Sequence, residues 1–346
     1  MSEKRTELSD LGEFGLIDRI KNSVKISNDT TKLGIGDDSA ILDTKQGQLL
    51  ISTDMLLEGI HFDLSYAPLA HLGYKAVAVN VSDIAAMNGV ASQLTVNIGL
   101  SNRFSLEAVD TLYQGILKAC EDFKLDLIGG DTSSSASGLV ISVTAIGSAD
   151  EKHIVRRSGA NKGDIICVTG DLGAAYLGLQ VLEREKQVFL TNPEMQPQLD
   201  KYDYIVQRQL KPTARMDIIH ELAELSVLPT AMIDISDGLG SELFHIAKES
   251  QVGVQIYEDK LPIDKQTYDT GYELGIDATT AAVNGGEDYE LLFTISQEDY
   301  EKVKNHSDIH FIGYVKERSE GCKMVSKQGN LVDITAQGWN HIKTKN

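Results

Sequence analysis

The residues of this chain best equipped for chemistry are carboxylates set beside glycines and hydroxyls. In chain order they are Gly34-Ile35-Gly36-Asp37-Asp38, Ser52-Thr53-Asp54, Asn80-Val81-Ser82-Asp83, Gly129-Gly130-Asp131, Asp234-Ile235-Ser236-Asp237-Gly238 and Gly285-Gly286-Glu287-Asp288. Each lies at or beside the end of an apolar segment, where a carboxylate is costly to desolvate unless a cation or hydrogen-bond donors meet it. Oxygen-only donor sets of this kind suit magnesium better than zinc. The pattern points to a composite site for hard metal ions and a phosphorylated ligand.

Taken singly, the groups admit plainer roles. Asp37-Asp38 can form a turn, and successive strand residues face opposite ways, so one of the two at most enters a site. Asp83 is the strongest individual case. Leu72, Ala76 and Val79 share a face of an apolar helix onto which the spacing carries Asp83, and a buried charge there needs an arginine or a metal as partner. Ser52, Thr53 and Asp54 offer two hydroxyls and a carboxylate at a strand end. His61, within Gly59-Ile60-His61-Phe62, is either structural or a substrate contact. Gly129-Gly130 before Asp131 lets the backbone approach a ligand and present N–H groups to phosphate. Arg157 either neutralises a phosphate or stays on the surface. Asp234 and Ser236 share a strand face, which favours a joint role, while Asp237 ligates, caps the helix starting near Leu239, or does both. Trp339, the one tryptophan, either plugs the core or offers its face to a flat cationic ring. No P-loop, protein-kinase set or His-Glu-x-x-His motif occurs, so any phosphoryl transfer uses a different cradle.

Periodicity supplies the elements that must position these groups. Helices are predicted over Glu13–Val24, Pro68–Met87, Ser105–Phe123, Gly173–Glu185, Lys201–Leu210, Ala214–Leu225, Leu239–Ser250 and Lys265–Leu274, with a short one over Gln297–Lys304. Strands are predicted over Ser39–Asp43, Gln48–Thr53, Gln93–Leu100, Leu125–Ile128, Gly138–Ile146, Asp164–Thr169, Ala231–Ile235, Gly253–Glu258, Tyr289–Ile295, Phe311–Val315 and Lys323–Ser326. Such alternation indicates an α/β or α+β layer structure. The Gly-containing basic stretch Arg156–Gly163 interrupts it, so domains are placed at 1–150 and 151–346. Residues 187–200, with Pro193 and Pro197, read as an exposed connection.

Bulk properties narrow the function classes. Over 346 residues, 42% are hydrophobic and 24% charged, as in a soluble protein with a real core. Lys+Arg 32 against Asp+Glu 51 leaves −19, which argues against binding nucleic acid. An anionic substrate would need metal ions as bridges. The polar start at Met1–Arg5 and the lack of a long uncharged apolar run argue against a signal peptide and a membrane span. Cys120, Cys167 and Cys322, far apart in apolar contexts, read as reduced packing residues in a cytoplasmic protein.

Further motifs accompany the acids: Gly12-Glu13-Phe14, His61-Phe62, Ile84-Ala85-Ala86-Met87 after Asp83, Ile128 and Thr132 around Gly129-Gly130-Asp131, Arg157-Ser158-Gly159-Ala160, Val168-Thr169-Gly170 and Tyr289 after Asp288. In this order, from about residue 12 to 341, the set resembles the thiamine-monophosphate kinase family, related to aminoimidazole ribonucleotide synthetase. The resemblance implies two α/β domains, the first pairing across a homodimer into a β-barrel, and ATP-dependent phosphorylation of thiamine monophosphate to thiamine diphosphate. It implies that Asp38, Ser52, Thr53, Asp54, Asp83, Asp131, Asp234 and Asp237 hold magnesium. Asp38 then works beside Asp54 and Asp83, with Asp37 structural and Asp234 meeting them across the domain cleft. Tyr113, Gly130, Asp131, Arg157 and Ser236 would contact ATP, and His61, Glu287 and Trp339 thiamine monophosphate. Lys211-Pro212-Thr213-Ala214-Arg215 departs from the family's Pro-x-Pro-Arg, and the 187–200 connection is long. Rival readings are another ATP-using member of the superfamily and a non-catalytic nucleotide- or metal-binding regulator. Against a hydrogenase-maturation factor stands the end Lys343-Thr344-Lys345-Asn346, and against a selenium enzyme the late first cysteine, Cys120. The complete acidic set argues against the regulator.

Overall fold

Each half of the chain builds its own sheet, and the sheets set where the acids point. The computed structural model describes residues 19–33, 41–42 and 47–335. Asp37, Asp38, Trp339 and the Gly12-Glu13-Phe14 motif lie outside the described residues, as does most of the first predicted helix, of which residues 19–23 are helical. Two units divide the chain, Met1–Ile154 and Val155–Asn346.

In the first unit, β1 (Thr31–Leu33) and β2 (Ile41–Leu42) form an antiparallel pair. β3 (Gln48–Leu57), β4 (Val90–Leu100), β5 (Asp126–Ser134) and β6 (Val140–Ala149) form a sheet in the order β3-β6-β4-β5, with only β4–β5 parallel. A parallel pair requires a crossover, and the helix Leu106–Phe123 supplies it. Ser105 caps that helix by accepting from the Ala108 N–H at 3.3 Å, and Lys124 ends it at φ 58°. The helix Leu69–Ala86 packs on β3 and β6 and against Leu106–Phe123. Almost all of it from Leu72 onward is buried, as an all-round apolar pattern requires.

Two motifs sit differently from their expected places. Ser52-Thr53-Asp54 is not at a strand end, because β3 continues to Leu57, paired with β6 throughout. Likewise β5 runs straight through Gly129-Gly130-Asp131. Gly130 lies so close to β4 that a Cβ would overlap the Val96 carbonyl, the close backbone approach that glycine permits inside a strand.

The second unit holds β7 (Ile165–Thr169), β8 (Ala231–Asp234), β9 (Gly253–Tyr257), β10 (Leu291–Ile295), β11 (Ile309–Lys316), β12 (Cys322–Val325) and β13 (Leu331–Asp333) in the order β13-β12-β9-β11-β7-β10-β8. Its neighbours are antiparallel except β12–β9. β7 and β10 are buried at every residue. Leu239, Leu243 and Ile246 of the helix Leu239–Ser250 join Ile166, Ile233, Ile256 and Leu292 in one apolar cluster. The helix Ala174–Thr191 outruns its predicted end at Glu185, taking in the start of the expected exposed connection. A helix at Ala278–Asn284 has no counterpart in the sequence reading. Its Thr-rich start lowers helix propensity, but Asp277 caps it by accepting from the Thr280 N–H at 2.8 Å.

Candidate active site

In the first unit, strand alternation decides which side chains meet. Ser52 and Asp54 face the helix Leu69–Ala86, while Thr53 between them points to the other side of the sheet. There the Thr53 hydroxyl donates to the Val143 carbonyl at 3.0 Å and accepts from Thr144 Oγ1 at 3.0 Å. Thr53 is therefore parted from the two residues it was grouped with. Ser52 donates to the Asp83 carboxylate. Asp83 is half-buried rather than fully buried, and this hydroxyl is one of its partners. The Asp54 N–H donates to Asn80 Oδ1 at 2.9 Å, and Asn80 is itself held through Nδ2 to the Ala76 carbonyl at 3.0 Å. Burial, and then the charge of Asp83 and a hydrogen bond shared with it, push the Asp54 carboxyl up to about 6.

Other expected residues of this unit lie apart from that pair. Asp131 is in register with Asn97, Ser142 and Met55, and so on the opposite pleat from Asp54. Tyr113 is buried in the helix Leu106–Phe123, its hydroxyl pushed up by burial. His61 accepts the Leu57 N–H at Nδ1 over 3.0 Å, which leaves the neutral ring its proton on Nε2. Among the described residues, no group of three or more His, Cys, Asp and Glu is placed to hold a metal ion. Ser52, Asp54 and Asp83 nevertheless offer oxygen donors only, with a carboxylate whose ionisation is opposed by burial and a like charge. That set fits a hard divalent cation.

In the second unit, the end of β8 and the 285–289 turn are brought together. The Glu287 N–H donates to the Ser236 carbonyl at 2.7 Å, Tyr289 N–H to Ile235 at 2.9 Å, and Ile235 N–H to Glu290 at 2.8 Å. Gly286, Glu287 and Tyr289 have φ of 73°, 63° and 51°, and a Cβ on Gly286 would collide with Ser236 and Asp237. Two consecutive-but-one left-handed non-glycine residues are uncommon and mark functional turns. Asp237 is not the helix cap. That position falls to Gly238, with no side-chain cap bond, while the Asp237 N–H donates to Glu242 at 3.0 Å. Burial pushes Glu242 up to about 8, with Asp234 and Asp237 adding to the rise and Arg157 opposing it. Exposed Arg157 thus shares the neighbourhood of Asp234 and Asp237. Its loop is tied to the helix Leu239–Ser250 by Ser250 Oγ, which accepts from the Gly159 and Ala160 N–H groups and donates to the Arg157 carbonyl, each at 3.1 Å.

Under this turn lies a buried ion network that the sequence reading did not find. Glu290, 2% exposed, accepts from Thr169 Oγ1 at 2.6 Å and pairs with Arg208 at 2.9 Å and Arg215 at 2.6 Å. Arg215 also pairs with Asp217 at 2.9 Å and with Asp308. Asp288 accepts from the Gly173 N–H at 2.9 Å and the Ala175 N–H at 3.4 Å, so a distant turn caps the helix Ala174–Thr191 and meets the positive end of its dipole. Burial still holds Asp288 up at about 7. The available signal was Glu290 itself, an acid leading straight into the apolar run Leu291–Ile295.

Comparison with known proteins gives a consistent result. Residues 36–149 match the family described as AIR synthase related protein, N-terminal domain, and residues 161–323 the corresponding C-terminal domain. The thiamine-monophosphate kinase of Bacillus subtilis (strain 168) is 34% identical over 339 residues, 96% of this chain and 100% of that protein. That of Aquifex aeolicus (strain VF5) is 36% identical over 336 residues, 97% and 99% of the two chains. The solved structure of AaThiL complexed with AMPPCP and TMP is similar at a TM-score of 0.74 and 34% identity, covering 99% of this chain and 100% of that one.

Proposed function

The chain belongs to the thiamine-monophosphate kinase family, and from that premise we propose that it phosphorylates thiamine monophosphate with ATP, giving thiamine diphosphate. The observation that carries this reading is a likeness running through both units rather than one. The acceptor phosphate oxygen is ionised at neutral pH, so the acids are not needed as a strong base, and the work is positioning and charge compensation. The transfer is direct and in-line, without a phosphoenzyme.

Ser52, Asp54 and Asp83 are the core of the magnesium set in the first unit, joined by Asp38, while Thr53 and Asp131 face the other side of the sheet and stay out of that cluster; Asp234 and Asp237 serve in the second. Bound magnesium would neutralise the ATP phosphates and offset charge in the transition state. Tyr113, Gly130, Asp131, Arg157 and Ser236 contact ATP, and His61, Glu287 and Trp339 contact thiamine monophosphate. The first unit dimerises through its sheet, a reading supported by Leu49, Ile51 and Met55, which alternate along one face of β3 and are 50%, 66% and 54% exposed.

The test is formation of thiamine diphosphate from ATP and thiamine monophosphate with magnesium, in wild type and Asp54→Asn. The variant should lose about a hundredfold or more of the rate, as when one electrostatic group of an active site is removed. Its melting temperature should hold, since the amide removes a like charge from beside Asp83. Near-wild-type turnover would take Asp54 out of the metal set, and capture of a labelled phosphoprotein would end the in-line reading.

A further inference from the structure

The helix Asp203–Leu210 directs two consecutive residues at one turn. Arg208 donates to the Asp288 carbonyl at 3.5 Å and pairs with the Glu290 carboxylate at 2.9 Å. Gln209, buried at 6% exposure, donates from Nε2 to the Glu287 carboxylate at 3.2 Å. The main chain of the turn is fixed by its bonds to Ile235 and Ser236 and by its left-handed residues. Those contacts do not hold the far end of the Glu287 side chain. A long side chain loses rotamer freedom when it engages a ligand unless it is already held, and a donor amide at 3.2 Å is such a hold.

We infer that Gln209 is a positioning residue for Glu287, holding its carboxylate aimed where it meets the organic cation of the acceptor substrate. The inference rests on the reading that Glu287 contacts thiamine monophosphate, and it adds the residue that presents it. Arg208 braces the same turn through its backbone and through Glu290. Gln209 alone of the two touches the carboxylate of Glu287.

The test compares wild type, Gln209→Met, Glu287→Gln and the double variant in steady-state formation of thiamine diphosphate. KM values for thiamine monophosphate and ATP are measured separately, alongside melting temperatures. Methionine keeps the length of the side chain and removes the donor. It should raise KM for thiamine monophosphate by about tenfold, the range of one hydrogen bond to a charged group, with KM for ATP within about twofold. In the Glu287→Gln background it should add nothing, because residues acting through one another are non-additive. Gln209→Asn, whose amide falls one methylene short, is the second variant and should shift the same KM. An unchanged KM, an equal rise in both KM values, or the full effect in the Glu287→Gln background each overturns the positioning role. Wild type that forms thiamine diphosphate beside a normal Gln209→Met removes this inference alone. Wild type that forms none removes the activity reading and this one with it.

Discussion

Glutamine in place of Glu290 changes one charge and almost no volume, which makes it a clean probe of the buried network. In the wild type the carboxylate answers two guanidiniums and one hydroxyl, at 2.9, 2.6 and 2.6 Å. Leaving a buried ion pair without one partner costs about 3–5 kcal/mol, because the remaining charge stays desolvated. Here the orphaned cations keep other partners: Arg215 retains Asp217 and Asp308, and Arg208 retains Asp171 at 4.0 Å. The lower end applies, about 3 kcal/mol. For a unit of 150–250 residues that corresponds to a fall in Tm of roughly 6–12 °C.

The assay is thermal unfolding of Glu290→Gln beside wild type, at low salt and at high salt. High salt should not close the gap, since buried pairs are screened far less than surface ones. Lys118→Met is the control. Lys118 pairs with Glu121 and Asp122 on an exposed helix face, with its side chain 52% exposed, and its loss should leave Tm in place. A Glu290→Gln midpoint within about 2 °C of wild type would refute the reasoning, because a penalty of about 3 kcal/mol cannot hide in so small a shift.

Two further outcomes follow from single sites. Asp126 is fully buried. Burial alone would raise its carboxyl, but hydrogen bonds from Thr31 Oγ1 at 2.6 Å, the Ser27 N–H at 2.7 Å and the Asn28 N–H at 3.0 Å outweigh it and hold the group below its usual range. A lowered folded value means stability that is present above the unfolded value near 3.9 and lost as pH falls through the folded one. Asp126→Asn should therefore cost about 2 kcal/mol at neutral pH, with the gap to wild type narrowing in urea titrations below about pH 4; a gap constant with pH counts against it. Gly170 has φ 53°, and a Cβ there would overlap the Glu290 carboxylate. Gly170→Ala should lower stability by about 1–3 kcal/mol, read by urea unfolding, and an unchanged midpoint would show that the carboxylate has room to move.

Much of the frame was legible because local pattern and tertiary demand agree. The helix Leu69–Ala86 is apolar all round and is buried, and Ser105 begins a helix by capping it. The failures occur where long-range pairing decides. Whether Ser52-Thr53-Asp54 ends a strand or lies within one depends on β6, as the Thr53–Thr144 contact between residues 91 apart in sequence illustrates. Once the strand runs through them, alternation places Thr53 and Asp54 on opposite faces. Arg215 and Glu290 are 75 residues apart, so no local signal joins them. Asp38 and Trp339 lie outside the described residues, and their expected roles stand on the family resemblance.

The acids of the two units share one physical predicament. Asp54 is pushed up by burial and by Asp83, and Glu242 by burial and by Asp234 and Asp237. A carboxyl whose folded pKa is raised contributes stability that is full below its unfolded value and lost as pH rises through the folded one. At neutral pH such groups therefore work against the fold, and replacing them would relieve it. A bound divalent cation reverses the balance by favouring the ionised form. Clusters that weaken the protein alone and would gain from a metal are what a site selected for binding, rather than for stability, is expected to contain. Glu290 is the opposite case: its carboxylate meets two guanidiniums within the protein, so it needs no ligand and serves to hold the 285–289 turn that carries Glu287.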